Sequence, residues 1–282
     1  MRFNELIICD NTGKPILKSF HSTVKPEKRF YREHHHTECE LSVFAEGNGI
    51  YNVNRREYSF HAGDAFLFGS NEIHCITEIN SPLHLINIQF EPRILWEYPE
   101  NHEMLRLFNS RKSCFSNRFD SDDQLKQAIL EIEKELTERK PGYIIKAKYI
   151  LYSALIYIIR QYNSTDSMTD NLSSSDGIRN AIIFINQNIE KKLTLKDIAD
   201  SACMSKTYFS SMFKKFNVIS PWDYITIKRV EKAIELLKST NQNKLQIAEK
   251  CGFSSQSNFY KAFNQVTGKA PSDFSAHPGN NQ

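Results

Sequence analysis

Four side chains in the first quarter of the chain carry its densest binding chemistry. His34 and His36 alternate, Glu40 follows four residues later, and Gly47 seven after that; Gly63-Asp64 comes next, and His74 lies eleven residues past Gly63. Three imidazoles and one carboxylate facing an enclosed interior have the donor set for Zn, Fe, Mn or Ni. The same four groups would equally hydrogen-bond an organic ligand or one another. Strand alternation points His35 away from its two neighbours. Tyr31, Tyr51 and Trp96 offer aromatic faces for a sugar or a ring, with plain core packing as the alternative for each.

A second kind of chemistry sits at the other end. Ile198-Ala199-Asp200, Met204-Ser205, Phe209, Phe213 and Pro221-Trp222-Asp223-Tyr224 recur as Ile247-Ala248-Glu249, Phe253-Ser254, Phe259, Phe263 and Pro271-Ser272-Asp273-Phe274. Each copy reads as a short helix, a turn and a second amphipathic helix, the helix-turn-helix pattern that sets a recognition helix in the DNA major groove. On the first recognition helix Phe209, Met212, Phe213 and Phe216 make the buried stripe, which leaves Lys206, Thr207, Ser210, Ser211 and Lys214 outside. On the second, Phe259, Ala262, Phe263 and Val266 are the stripe, and Gln256, Ser257, Tyr260 and Lys261 face out. Gln reads adenine bidentately; Ser and Lys reach bases or phosphates.

The elements that must position these groups can be read in outline. Up to about Phe90 the chain is a string of short strands, among them 41–45, 49–53, 56–60, 65–68 and 83–90, separated by turn signals such as Glu46-Gly47-Asn48-Gly49 and Ala62-Gly63-Asp64. Many short, evenly spaced strands indicate a small barrel or sandwich. A helix over 124–138 has Leu125, Ile129, Ile132 and Leu136 on one face, and Pro141-Gly142 ends it. The next helix, 144–161, is apolar on more than one face and demands burial on several sides. The polar run 163–176 reads as a linker. Ile178, Ile182, Ile185 and Ile189 open the last domain. There Thr194 and Ser205 are N-caps, and Leu195, Leu245, Ile247 and Ala248 anchor the leading helices. Ser220-Pro221 starts a long helix running to about Lys238 that joins the two units.

Charge is divided along the chain. Residues 177–282 hold 15 Lys+Arg against 8 Asp+Glu, a net +7, which leaves −4 on the rest of a +3 chain. That asymmetry fits phosphate-backbone binding at one end only. The N-terminus lacks the apolar run of a signal peptide. The most apolar stretch, 149–159, falls short of the ~20 residues a bilayer requires. Six cysteines without a CxxC pair indicate reduced thiols, not a zinc or disulfide framework.

These residues reach a known family. The stretch 178–274 resembles the DNA-binding domain of AraC/XylS-type transcriptional regulators through Ile198-Ala199, Met204-Ser205, Phe213-Lys214-Lys215-Phe216, Ser220-Pro221, Arg229-Val230-Glu231-Lys232-Ala233, Cys251-Gly252-Phe253 and Pro271. The resemblance implies that Thr207, Ser210 and Ser211 on the first recognition helix and Gln256, Ser257, Tyr260 and Lys261 on the second face the bases, with Lys206 and Lys214 beside them as further DNA contacts. Where the family has glycine before Met204 and Ile219, this chain has Cys203 and Val218. The His34/His36/Glu40 and Gly63/His74 motifs resemble those of cupins, the second in degraded form. Sensor domains of AraC-type regulators resemble cupins and often keep the pattern without a metal, so His34, His36, Glu40, His74, Tyr31, Tyr51 and Trp96 become effector contacts. The implied fold class is α+β. An N-terminal cupin-like barrel with a helical dimerisation segment (1–162) precedes a linker (163–176) and an all-α double helix-turn-helix domain (177–282). The implied function is that of a cytoplasmic, sequence-specific transcriptional regulator, not an enzyme, that answers a small molecule, carbohydrate or a related metabolite. Its expected partners are double-stranded DNA, the effector, a second copy of itself and, if it activates, RNA polymerase; no cofactor, metal or membrane is expected. Two other readings compete: a metal-dependent cupin enzyme with a DNA-binding tail, and a DNA-binding adaptor whose N-terminal domain binds a protein.

Overall fold

The computed structural model describes residues 6–26, 33–96, 101, 104, 106–108, 116–162 and 169–275. The chain separates into two compact units whose main segments are Pro15–Thr169 and Asp170–Gln282.

Among the described residues the first unit holds nine strands: β1 Leu6–Cys9, β2 Pro15–Val24, β3 Cys39–Glu46, β4 Gly49–Val53, β5 Arg56–Phe60, β6 Ala65–Phe68, β7 His74–Ile79, β8 Leu83–Phe90 and β9 Arg118–Phe119. They form a six-stranded sheet in the order β1-β2-β8-β3-β6-β9 and a three-stranded sheet in the order β5-β4-β7. Pairing is antiparallel, with Ser22 opposite Leu85 and Glu40 opposite Gln89. Alternation sets the inner faces: Phe20, Ser22 and Val24 of β2 and Leu83, Leu85, Asn87 and Gln89 of β8 line a cavity shared with Tyr51 of β4 and Cys75 of β7. The five strands read from sequence are all present. Strands β1, β2, β7 and β9 add to them.

Two helices complete this unit. Helix α1 (Asp123–Glu138) starts at Asp122, whose side chain accepts from Leu125 N, and buries Leu125, Ile129, Ile132 and Leu136. Helix α1 packs on the outer face of β2, β3 and β8. Helix α2 (Tyr143–Tyr162) packs on α1 through Ala147, Ile150, Leu151, Ala154, Leu155 and Ile158. Its other face is left outside: Ile145 is 76% exposed and Tyr149 69%, with Ile156 further along.

The second unit is all helix: α3 (Thr169–Gln187), α4 (Leu195–Ser201), α5 (Lys206–Asn217), α6 (Pro221–Ser239), α7 (Lys244–Lys250) and α8 (Gln256–Thr267). The caps stand where local chemistry puts them. Thr194 and Asp197 form a reciprocal capping box before α4, Ser205 accepts from Tyr208 N, and Ser220 accepts from Asp223 N with Pro221 in the first turn. Asn243 and Gln246 box the start of α7, and Ser255 caps α8.

Two expectations change. The polar segment 163–176 is helical from Thr169 onward, because α3 extends upstream from the Ile178/Ile182/Ile185 stripe into residues that composition alone marks as linker; residues 163–168 lie outside the described ones. Leu245 is 49% exposed and does not anchor α7, whose core contacts come from Ile247 and Ala248. It sits in the first turn of a helix only seven residues long, ahead of the inward face. The glycine substitutions have the backbone consequence their positions imply. Cys203 has φ 55° and Val218 φ 69°, the left-handed region that Gly252 (78°) and Gly268 (70°) occupy in the second unit. A side chain there costs about 1–2 kcal/mol. The first unit of the pair therefore carries strain that the second does not.

Candidate functional site

Of the four groups in the barrel motif, three converge. One ligand atom each from His36, Glu40 and His74 falls within 4.8 Å of the others. Glu40, buried on β3, sits at the centre. Its Oε2 accepts from His36 Nε2 at 3.1 Å and from the Gln89 amide at 2.6 Å, and its Oε1 accepts from Ser42 at 2.7 Å. Burial alone would raise the Glu40 pKa. The His36 hydrogen bond, the His74 ring and the Gln89 and Ser42 donors outweigh it and bring the carboxyl to about 2. Burial also works against the His36 cation, yet the adjoining Glu40 carboxylate raises its pKa above the ordinary histidine value. Both His36 ring nitrogens are engaged, Nε2 on Glu40 and Nδ1 on the Glu38 carbonyl at 2.9 Å. The Gln89 amide nitrogen also lies 3.2 Å from His36 Nε2.

His74 behaves differently. Its Nδ1 donates to the Glu72 carbonyl at 2.7 Å, its ring stacks on Phe68 at 4.4 Å, and its buried Nε2 has no hydrogen-bond partner among the described residues. Burial brings its pKa down to about 4, so at neutral pH Nε2 is an uncharged, bare acceptor. His34 joins only through its backbone, exchanging N–H···O bonds of 3.2 and 3.1 Å with His74; its ring packs edge-on to His74 at 4.4 Å. His34, His35 and His36 precede β3 instead of lying on it, so strand alternation does not orient His35, which is exposed.

This arrangement does not fit the four-ligand cupin set. Such a metal takes three bare imidazole nitrogens and a free carboxylate edge. Here His36 Nε2 and the Gln89 amide occupy the Glu40 edge, and His34 stays outside the converging group. Glu40 and Gln89 of this network, together with His34, line a cavity of ≈ 210 Å³ between the two sheets, whereas His36 and His74 are not among its lining residues. Small organic ligands commonly occupy pockets of ~300–1,000 Å³, so this one suits a compact molecule.

The aromatic candidates separate. Tyr51 lines the cavity and is packed among Phe44, Phe66 and Phe68, with ring centroids at 5.9, 5.0 and 5.2 Å. Trp96 does not line it. It is buried in a 3-10 turn, Pro92–Trp96, that follows β8, and the expectation of an effector contact there is corrected. Tyr31 lies outside the described residues. Sequence reasoning missed Gln89, Asn87, Ser22, Phe20, Leu83, Leu85 and Cys75, all cavity-lining.

In the second unit the recognition helices present the expected faces. On α5, Phe209 and Phe213 are fully buried, while Lys206, Thr207, Ser211 and Lys214 are exposed. Ser210 is only half-exposed, and its hydroxyl turns back to the Lys206 carbonyl at 2.9 Å. Tyr208, which the stripe argument passed over, is 49% exposed on the same helix. On α8, Phe259 and Phe263 are buried and Gln256, Ser257, Tyr260 and Lys261 are exposed. Asn258, also exposed and also missed, donates to Ser254 at 2.9 Å. Helix α6, 19 residues and therefore about 28 Å long, carries both units. Five described cysteines, 9, 39, 75, 203 and 251, are free thiols. No helix among the described residues is long and apolar enough to cross a membrane.

Known proteins resemble the chain along most of its length. A family described as AraC-like ligand binding domain matches residues 19–155, and one described as helix-turn-helix domain matches 198–277. The HTH-type transcriptional activator RhaR of Mannheimia succiniciproducens is 25% identical over 259 residues, 90% of this chain and 91% of that protein. The activator of the same name from Escherichia coli strain K12 is 24% identical over 246 residues, 86% of each. Among solved structures, the C-terminal domain of AraT, a response regulator from Geobacillus stearothermophilus, is 34% identical, spanning 36% of this chain and 84% of that one, with a TM-score of 0.35.

Proposed function

We propose, from the premise that this chain belongs to the AraC-type DNA-binding transcriptional regulators with a ligand-binding N-terminal domain, that it reads DNA through α5 and α8 together and senses a compact carbohydrate in its barrel. The doubled recognition helix on one continuous α6 carries the DNA half of this reading. Lys206, Thr207, Ser211 and Lys214, with Ser210 beside them, face one stretch of groove. Gln256, Ser257, Tyr260 and Lys261 face the next. The longer side chains of α8 make it the principal base reader, with Gln256 on an adenine. In a binding selection with the full chain, Gln256→Ala weakens the preferred site by ~1–3 kcal/mol and relaxes one position of it. An unaltered site preference would refute the placement of α8.

The effector half rests on the cavity. The described lining holds no Lys or Arg to meet an anion, and its polar groups are those of Ser22, His34, Glu40, Asn87 and Gln89. A neutral hydroxyl compound suits both parts of that lining: hydroxyls for Ser22, Asn87 and Gln89, and carbon–hydrogen faces for Tyr51, Phe20 and Leu85. Glu40 and His34 complete the polar wall, with His36 held against Glu40 and His74 against Tyr51. Residues 1–162 form the sensing and dimerising part, 177–282 the DNA-reading part, and 163–176 connects them. The relatives named RhaR are activators. By analogy this chain activates too, with RNA polymerase as a partner, and works in the cytoplasm without enzymatic activity.

A homodimer is part of the proposal. Ile145, Tyr149 and Ile156 follow one another along a single face of α2 and are open to solvent, and a two-fold interface would cover them. Leu155 is fully buried within its own subunit and would test the core instead. Ile145→Glu combined with Tyr149→Glu is expected to give monomers in sedimentation equilibrium with the helical content retained; a double variant that still sediments as a dimer refutes this interface.

A further inference from the structure

We propose that Arg229 sets the spacing between the two reading helices, and so acts as a positioning residue for DNA recognition. The inference rests on the reading that α5 and α8 both contact DNA. Helix α6 joins the two units but does not by itself fix their relative rotation. Its first half holds the first unit, with the Tyr224 ring 5.6 Å from Phe213 of α5. Its second half holds the other through Val230, Ala233, Ile234 and Leu237. Apolar packing of this kind is non-directional. A one-base-pair change of spacing corresponds to about 3.4 Å along the duplex and about 35° around it, at 10–10.5 base pairs per turn. Something directional must therefore hold the second unit against small rotations.

Arg229 is placed to do so. It lies at the junction of the two halves of α6 and is partly buried. Its Nε donates to the Ile189 carbonyl at 3.0 Å and its Nη2 to the Lys191 carbonyl at 2.8 Å. Those carbonyls belong to the segment leaving α3 and entering the capping box of the first unit at Thr194. On its other side the guanidinium carbon is 5.9 Å from the centre of the Phe253 ring, and Phe253 packs 5.3 Å from Phe259 of α8. A continuous line of contacts thus runs from the support of the first unit, through one planar cation, to the reading helix of the second.

The turn of the second unit is seated on the same segment. Gly252 has φ 78°, and a Cβ there would fall 2.6 Å from the Ile189 carbonyl oxygen and 2.9 Å from Arg229 Nη2. At the matching position of the first unit, Cys203 is exposed. The close seat is therefore particular to the second unit. Arginine suits the role because its donors form a rigid fork that reaches two carbonyls at once, where lysine offers a single point charge. Two of its five N–H donors are spent on these carbonyls, which fixes the plane of the guanidinium between the two units.

The test is a binding selection with the full-length protein on duplexes in which the two sub-sites are separated by spacers varied by up to two base pairs either way. The wild type is expected to favour one spacing by about tenfold or more, roughly the effect of one good directional contact. In Arg229→Gln that preference falls to about twofold, while base preferences inside each sub-site stay as they were; Arg229→Lys lies between. Phe253→Leu, which removes the ring but keeps an apolar side chain, broadens the spacing in the same way and carries the test if Arg229→Gln does not fold. If both variants keep the wild-type spacing preference, or lose base preferences equally with it, the inference is overturned. A wild type that selects a single sub-site overturns the two-unit reading of DNA and this inference with it.

Discussion

Raising monovalent salt from 50 to 200 mM is expected to weaken binding of the full-length protein to its preferred duplex by about a thousandfold. The reason is counterion release: each phosphate neutralised contributes a slope of about −0.9 in log K against log salt, and six contacts over a fourfold change in salt give ~10³. The DNA-binding unit has the cations for six contacts. Lys191, Lys192, Lys196, Lys206, Lys214, Lys215, Lys250, Lys261 and Lys269 are all exposed, in a region of net +7. Lys214 separates the electrostatic part from base reading. Lys214→Ala should weaken every sequence alike and make the slope shallower by about one, in contrast to the selective loss expected for Gln256→Ala. A wild-type slope near −1, or a slope that Lys214→Ala leaves as it was, would refute phosphate binding by this face.

The contrast between the two units shows what a sequence makes legible. Helices α4 to α8 could be placed almost residue by residue because their determinants are local. Thr194 and Asp197 are three residues apart, Ser220 adjoins Pro221, and the phenylalanine stripes repeat within one helix. Even the left-handed turn at Cys203 followed from a missing glycine. The cavity was not legible. Ser22 meets Leu85, and Glu40 meets Gln89, across dozens of residues, and no local pattern sets that register. Strand β8 conceals its two faces further. Seven of its eight residues are buried, because the cavity lies on one side and α1 on the other, so the alternation that would have marked Asn87 and Gln89 is flattened. Trp96 misled for a related reason: an aromatic residue after a strand has the composition of a ligand platform, but a 3-10 turn folds it into the core. The start of α3 was hidden by composition, since Thr, Asp and Ser suit helix entry as readily as a linker.

Acidification from neutral pH to about 4 is expected to destabilise the barrel unit by about 3 kcal/mol through His74 alone, and further acidification through Glu40 by a similar amount. The sign follows from the direction of each shift. His74 has an ordinary value of 6.5 and is brought to about 4 in the fold by burial, so between those values the unfolded chain binds the proton and the folded one does not. Stability is fully present above pH 6.5 and is lost as pH falls toward 4, at 1.36 kcal/mol per unit. Glu40 goes from 4.5 to about 2, because the donors around it overcome the cost of burial. Its contribution is present above 4.5 and is lost as pH falls toward 2. His36 works the other way. Its raised pKa stabilises the fold below its ordinary value, which offsets part of the His74 loss. Trp96, buried in the barrel unit, reports the transition once the exposed Trp222 is replaced by Phe. Urea unfolding of that variant at pH 7, 5.5 and 4 should show the midpoint falling steadily, and His74→Gln should flatten the fall between 6.5 and 4. If the pH dependence in that window is the same with and without His74, then burial does not hold that ring neutral in the folded barrel.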